Sequence, residues 1–346
     1  MADFVIDGHS KIAKDKLIKS ATVFSKTAHG SIFEQKHPNV VVVDLFGDKK
    51  LRVDPYDPAP DMTHGDAVVS YIKAQCPAAN IIKRGKLTQT TEQEKIEILE
   101  GAKTLLNKGS EEAKILFGED AKNTIENPDK ITGFDTVTHM KELAKSLVDG
   151  EKIDAVNLSM AETVKINNLA KVTGLPLTKE NLSQYKNEIR KWFENSNLPE
   201  IKDCNEELES IEKITAGGIP FYVAAGNEGD KFVNLYSFAK GVTTVGALKE
   251  DRKTKTDYTV DNSLVDQWEQ GDYPIKKIKD KKGHLIGYDI NGDNEPEILA
   301  KDNSRNKSHL SALIYPLIKK ERGTSFAAPT ALGKDLRKKL VNDNGN

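Results

Sequence analysis

Four consecutive β-branched residues, Val40-Val41-Val42-Val43, constrain the fold of this chain more than any other stretch. Side chains along a strand alternate between its two faces, so an unbroken apolar run leaves neither face for water. Such a strand belongs in a parallel sheet covered by helices on both sides. Residues 153–161, 219–225 and 241–247 read as further buried strands, and 76–83 as a turn and another strand. Between them lie segments with apolar residues at helical spacing, such as 135–149, with Val137, Met140, Ala144, Leu147 and Val148 ahead of Gly150. Strands alternating with helices predict an α/β fold: a doubly wound, mainly parallel central sheet flanked by helices, with helical insertions. No repeat at a fixed period competes with that reading.

The chemistry-bearing residues fall at the ends of these elements. Asp44 closes the valine run, at the carboxyl end of a strand, where open α/β sheets place their ligands. A turn or cap carboxylate would sit there equally well. His64 opens a helical pattern continued by Val68, Val69 and Ile72, and Asp66 adds a second carboxylate that by proximity favours imidazolium. Asn227 follows an apolar strand and two small residues, Ala225 and Gly226, into a turn; asparagine is common there because it tolerates left-handed backbone. Near the C-terminus, Gly323-Thr324-Ser325-Phe326-Ala327-Ala328-Pro329 reads as a tight turn feeding a buried helix. Ser325 falls at or near the first helical position and Pro329 in the first turn, where a missing N–H costs nothing. The helix N-terminus favours negative charge beside that serine.

These stretches resemble the motifs of the subtilisin-like serine proteases, the subtilases. The heptad 323–329 is similar to their nucleophile motif, and the order Asp44, His64, Ser325 is theirs rather than that of the α/β-hydrolases or chymotrypsin. The resemblance implies a serine endopeptidase working through an acyl-enzyme, with Asp44, His64 and Ser325 as triad and the Asn227 amide in the oxyanion hole. It also implies that Ser159, Met160 and Ala161, with Ala225 and Gly226, wall the substrate cleft. Departures from the family pattern are Leu45-Phe46 after the aspartate, Asp66-Ala67 after His64-Gly65, and Met160-Ala161 in the cleft strand. Those departures, with insertions at about 88–133, 162–200 and 262–318, motivate an alternative: a catalytically silent subtilase-fold binding or scaffolding protein. The domain reading is an N-terminal arm over 1–36, with one helix near 11–20, and a catalytic domain over 37–346. The arm is shorter than the family's usual propeptide, which implies folding without one or control by a separate inhibitor or regulator.

The chain has 51 Lys and Arg against 53 Asp and Glu, a net charge of −2. No global field of that size recruits nucleic acid or an anionic membrane; the partner that the resemblance implies is a peptide or protein substrate. No apolar run approaches the roughly 20 residues of a membrane-spanning helix, and no basic segment followed by an apolar one marks a secretory signal. A cytoplasmic location is the default, with leaderless export or a trimmed leader as alternatives. Cys76 and Cys204 are too few for a disulfide framework. The chemistry needs no cofactor. One stretch suggests a structural ion: Asp289, Asn291 and Asp293 alternate around Gly292, the oxygen-rich spacing that Ca²⁺ uses. Ala300 stands where an EF-hand needs its closing Glu, leaving a short calcium turn between two strands or a plain Asn-Gly hairpin turn. Elsewhere, Thr91 and Glu94 form a capping box before a stripe of Ile98, Leu99, Ala102, Leu105 and Leu106, expected to pack against the body rather than to form a partner groove. A further amphipathic helix runs through Leu182, Tyr185, Ile189, Trp192 and Phe193. The segments 48–61 and 249–284 read as loop.

Overall fold

The computed structural model describes residues 37–46, 63–85, 91–128, 131, 136–299 and 320–344. The chain divides between Lys36 and His37, and the second unit is the one described. The N-terminal arm, the loop at 48–61 and residues 300–318 of the third insertion lie outside the described residues.

A six-stranded sheet in the order β2-β1-β3-β5-β7-β8 forms the scaffold. Its strands are β1 (Asn39–Val43), β2 (Asn80–Arg84), β3 (Ala155–Leu158), β5 (Phe221–Ala224), β7 (Val242–Leu248) and β8 (Gln267–Gln270). Every pairing in it is parallel. The valine run behaves as its composition requires, with Val40 to Val43 all fully buried. Val41 and Val43 join Val156, Leu158, Phe221 and Val223 on one face. That face packs on α4 (Thr136–Val148), α6 (Lys186–Asn195) and α7 (Pro199–Ala216), through Met140, Leu143, Ile189, Phe193, Leu208 and Ile211. Val40 and Val42 face the other way, onto α1 (His64–Gln75) and α8 (Thr324–Asn344). Burying each valine side chain is worth about 1.5–3 kcal/mol, which holds the strand that carries Asp44 in one register. Ala327, Ala328 and Ala331 let α8 lie close on the sheet. At the α1–α8 crossing a Cβ on Gly333 would come within 2.7 Å of Gln75 Cβ. Among the described residues, no helix is long and apolar enough to cross a membrane.

Three expectations need correction. The segment 249–284 is not simply solvated loop: it supplies β8, β9 (Asp272–Pro274) and β10 (Lys276–Lys279). β8 is an edge strand, so its sequence, Gln267-Trp268-Glu269-Gln270, shows no apolar run. Its anchor is Trp268, whose ring fills the space a Cβ would take at Gly246. The first insertion forms α2 (Glu92–Lys108) and α3 (Glu111–Glu126), and the Thr91–Glu94 capping box is present. Yet no residue of α2 is buried. Its stripe leans on α3 instead of the body. Finally, α8 begins at Thr324, which puts Pro329 inside the helix rather than in its first turn. The remaining elements are β4 (Thr163–Lys165), α5 (Ile166–Thr173), β6 (Phe232–Asn234), β11 (Leu285–Asp289), β12 (Ile298–Leu299) and β13 (Lys320–Arg322).

Candidate active site

Asp44 follows the last residue of β1 and is wholly buried. Its Oδ1 accepts hydrogen bonds from the Leu45 N–H at 2.6 Å and from His64 Nδ1 at 2.7 Å. Oδ2 accepts none among the described residues. An ionised carboxylate only accepts, so Nδ1 carries the ring hydrogen and Nε2 is the basic nitrogen. His64 is the first residue of α1, capped by Thr63. Asp66 completes that cap and pairs with Lys83 at 2.5 Å. Burial alone would raise its carboxyl, but the hydrogen bonds from Lys83 and Thr63 outweigh this and hold it below the usual range. Asp66 therefore serves the helix start and ties it to the edge strand β2. The departure at Phe46 has a similar account. Its ring packs where a Cβ on Gly65 would come within 2.5 Å, and Gly65 N–H bonds the Leu45 carbonyl at 3.0 Å. A bulky residue after Asp44 thus makes glycine obligatory after His64.

Ser325 is delivered by β13, which pairs antiparallel with β9. Gly323 N–H bonds the Gly271 carbonyl at 3.1 Å to shape the turn. A side chain at 323 would collide with Ser325, since its Cβ would lie 2.8 Å from Ser325 Oγ. Ser325 is the second residue of α8, within the turn whose N–H groups lack helical partners. The next residue, Phe326, sets its ring 5.9 Å from the His64 ring and stacks on Tyr71 at 4.8 Å. This contact ties the helix bearing His64 to the helix bearing Ser325.

Asn227 is held on two sides. Its Oδ1 accepts from the Thr324 N–H at 2.9 Å and the Thr324 hydroxyl at 3.0 Å. That hydroxyl in turn accepts from Gly226 N–H at 3.2 Å. The Asn227 N–H donates to Glu228 Oε2 at 2.8 Å. Since the Thr324 N–H can only donate, the amide oxygen must face Thr324 and the NH₂ group points away from it. Nδ2 makes no hydrogen bond among the described residues, so the residue presents a fixed, uncommitted donor. Gly226 is needed beside it: its φ is +111°, and a Cβ would meet Glu228 Oε2 and Thr163 Cγ2, both at 2.8 Å.

The expected cleft residues divide. Met160 is half-buried and Ala161 exposed, whereas Ala225 and Gly226 are buried. Ser159 is buried too, and its hydroxyl donates to the Ser325 carbonyl rather than pointing outward.

The acidic turn between β11 and β12 brings together more than its spacing announced. Asp289, Asp293 and Glu297 each offer a carboxylate oxygen within 4.8 Å of the others. Asn291 also lies in this turn, but its Nδ2 donates to Glu297 Oε1 at 3.0 Å and its Oδ1 accepts from Asp293 N–H at 3.0 Å. The sequence does not single out Glu297, because the EF-hand spacing puts a closing ligand three residues further on, at Ala300. Burial, helped by the charges of Asp293 and Asp289, pushes its carboxyl up to about 7. The three carboxylates form an all-oxygen set that suits a hard divalent cation. The turn is anchored to the catalytic helices: Tyr71 Oη donates to the Ile290 carbonyl at 2.6 Å.

The parallel sheet thus carries a hydrogen bond between the buried Asp44 and His64 at the end of β1, and a serine stands in the first turn of α8. The chain belongs to the subtilase family: residues 39–334 match the family's sequence profile. It is thus a subtilisin-like serine peptidase. No curated protein matches it. Among solved structures it is similar to the patellamide maturation protease PatA, at 12% identity over 90% of this chain and 82% of that one, with a TM-score of 0.43. The prenylagaramide maturation protease PagA is also 12% identical, over 86% and 73%, with a TM-score of 0.40. The MycP3 protease of the type VII (ESX-3) secretion system is 14% identical over 86% and 69%, with a TM-score of 0.36.

Proposed function

We propose that this chain hydrolyses internal peptide bonds through an acyl-enzyme on Ser325. The observation that carries the reading is the 2.7 Å hydrogen bond between a buried Asp44 and His64, because it fixes the tautomer that leaves Nε2 basic. Ser325 Oγ attacks the scissile carbonyl as His64 Nε2 takes its proton. The same imidazolium then protonates the leaving amine, and water repeats the sequence to release the acid. Asp44 orients the ring and stabilises its charged form. The Asn227 Nδ2–H and the Ser325 N–H donate to the tetrahedral oxyanion, where one such donor is typically worth ~10²–10³ in kcat. A peptide lies along the edge formed by Met160 and Ala161 on one side and Ala225 and Gly226 on the other. A fluorophosphonate probe tests this directly. Phosphonylation should fall on Ser325, with loss of fluoride, and should vanish in Ser325→Ala. A folded wild type that takes no label at Ser325 would overturn the hydrolytic reading in favour of a binding protein.

The reading extends to a structural Ca²⁺ held by Asp289, Asp293 and Glu297. Titrating the chelator-treated protein with Ca²⁺ should raise Tm by several degrees, in line with ligand linkage. Glu297→Gln should shrink the gain, and no gain in the wild type would remove the ion.

A further inference from the structure

Pro329 creates a defect in α8 at one particular carbonyl. In an α-helix the N–H of residue i bonds the carbonyl of residue i−4. Proline has no N–H, and its ring crowds that same carbonyl. For Pro329 the orphaned carbonyl is that of Ser325, the nucleophile. Ser325 is buried, and a buried carbonyl without a partner is costly. The partner comes from another element: the Ser159 hydroxyl donates to the Ser325 carbonyl at 2.8 Å. The hydroxyl is itself aimed by Asn157, whose Nδ2 donates to Ser159 Oγ at 2.8 Å. That bond occupies a lone pair and turns the single O–H toward α8. Asn157 and Ser159 are both buried, at 0% and 4% exposure, so water does not compete for the relay. The two sit two residues apart at the end of β3, and so project from the same face of the sheet.

We infer that Ser159, oriented by Asn157, is a positioning residue that replaces the helical hydrogen bond removed by Pro329 and so sets the backbone of Ser325. The assignment rests on Ser325 being the nucleophile, and it moves Ser159 from the substrate wall to the support of the attacking group. Its physical logic is freedom of placement. A nucleophile bonded only within its own helix moves with that helix. One whose carbonyl is tied to β3 is referenced to the same sheet that carries Asp44 at the end of β1, the neighbour of β3. Displacements near 1 Å at a reacting centre cost up to ~10² in rate.

The test is a rescue. Ser159→Ala should lower kcat on a peptide substrate roughly 10- to 100-fold with KM within about twofold. It should also lower Tm by about 3 °C, because the Ser325 carbonyl loses its partner. Pro329→Ala restores an N–H at the one position that can bond that carbonyl. In the Ser159→Ala background it should recover most of the lost Tm and at least tenfold of the lost kcat. A residue that merely fills space at 159 would show no such recovery. Unchanged kcat in Ser159→Ala, a raised KM in place of a lowered kcat, or a double variant no better than the single would each overturn the assignment. The Tm readout keeps the carbonyl relay separable from the chemistry. Recovery of Tm in a protein without Ser325-dependent turnover would overturn the hydrolase reading while preserving the relay as a structural link. Failure of Tm recovery in an active enzyme would overturn the relay alone.

Discussion

Ser325→Ala should lower kcat by about 10⁶, and His64→Ala should lower it about as far. The double variant should be no slower than either single one. This non-additivity is the informative part. A serine without a base is a poor nucleophile, and a base without the serine has no proton to take, so removing one removes the work of both. The residual rate should exceed the uncatalysed one by about 10³–10⁴, supplied by Asn227 and substrate binding. Folding should survive. Ser325→Ala leaves the carbonyl bonded to Ser159 and keeps a small residue at the start of α8. Its Tm should stay within about 2 °C of wild type. Multiplying losses in the double variant would mean that the two residues act independently, and the triad would fall.

Substitutions at Asp44 should separate orientation from charge. Asp44→Ala removes both, and a loss of about 10⁴ in kcat is expected. Asp44→Asn should cost less here, about 10²–10³. The reason lies in the pattern of donors. Both hydrogen bonds to the carboxylate, from Leu45 N–H and His64 Nδ1, converge on Oδ1. An asparagine must put its oxygen there, because an NH₂ would face the Leu45 N–H. The amide nitrogen then takes the Oδ2 position, which has no donor to oppose it. The ring keeps its productive tautomer and loses only the negative charge that stabilises imidazolium. Steady-state kinetics on the two purified variants would decide it. An Asn variant as slow as the Ala variant would mean that the tautomer is lost, and the account of Oδ1 as the obligatory acceptor would fail.

The most legible elements were those whose composition admits a single environment. β1, β3, β5 and β7 are buried on both faces, so each appears as a mostly apolar or β-branched run. The motifs at their ends were legible for a related reason: His64, Asn227 and Ser325 each stand beside a glycine or other small residue, where a larger side chain would collide. Gly323 and Gly226 make this concrete, with virtual Cβ atoms 2.8 Å from the Ser325 hydroxyl and the Glu228 carboxylate respectively. β8 escaped notice because an edge strand may be polar. The helix α2 was legible but its packing partner was not, because an amphipathic stripe does not say what covers it.

What the sequence by itself determined is therefore the scaffold, the family, and the order of the motifs to which the proposed chemistry is assigned. These depend on local composition and on motifs a few residues long. Only the tertiary structure decided how those residues are held. Pro329 falls inside the helix, so Ser159 turns inward to Ser325, 166 positions away. Phe46 dictates the glycine after His64, Thr324 sets the direction of the Asn227 amide, and Glu297 joins the acidic turn. Each of these is a contact between residues that chain distance does not relate. Such contacts are selected by the geometry of the packed sheet and helices, and a linear pattern carries no record of which donor will face which acceptor.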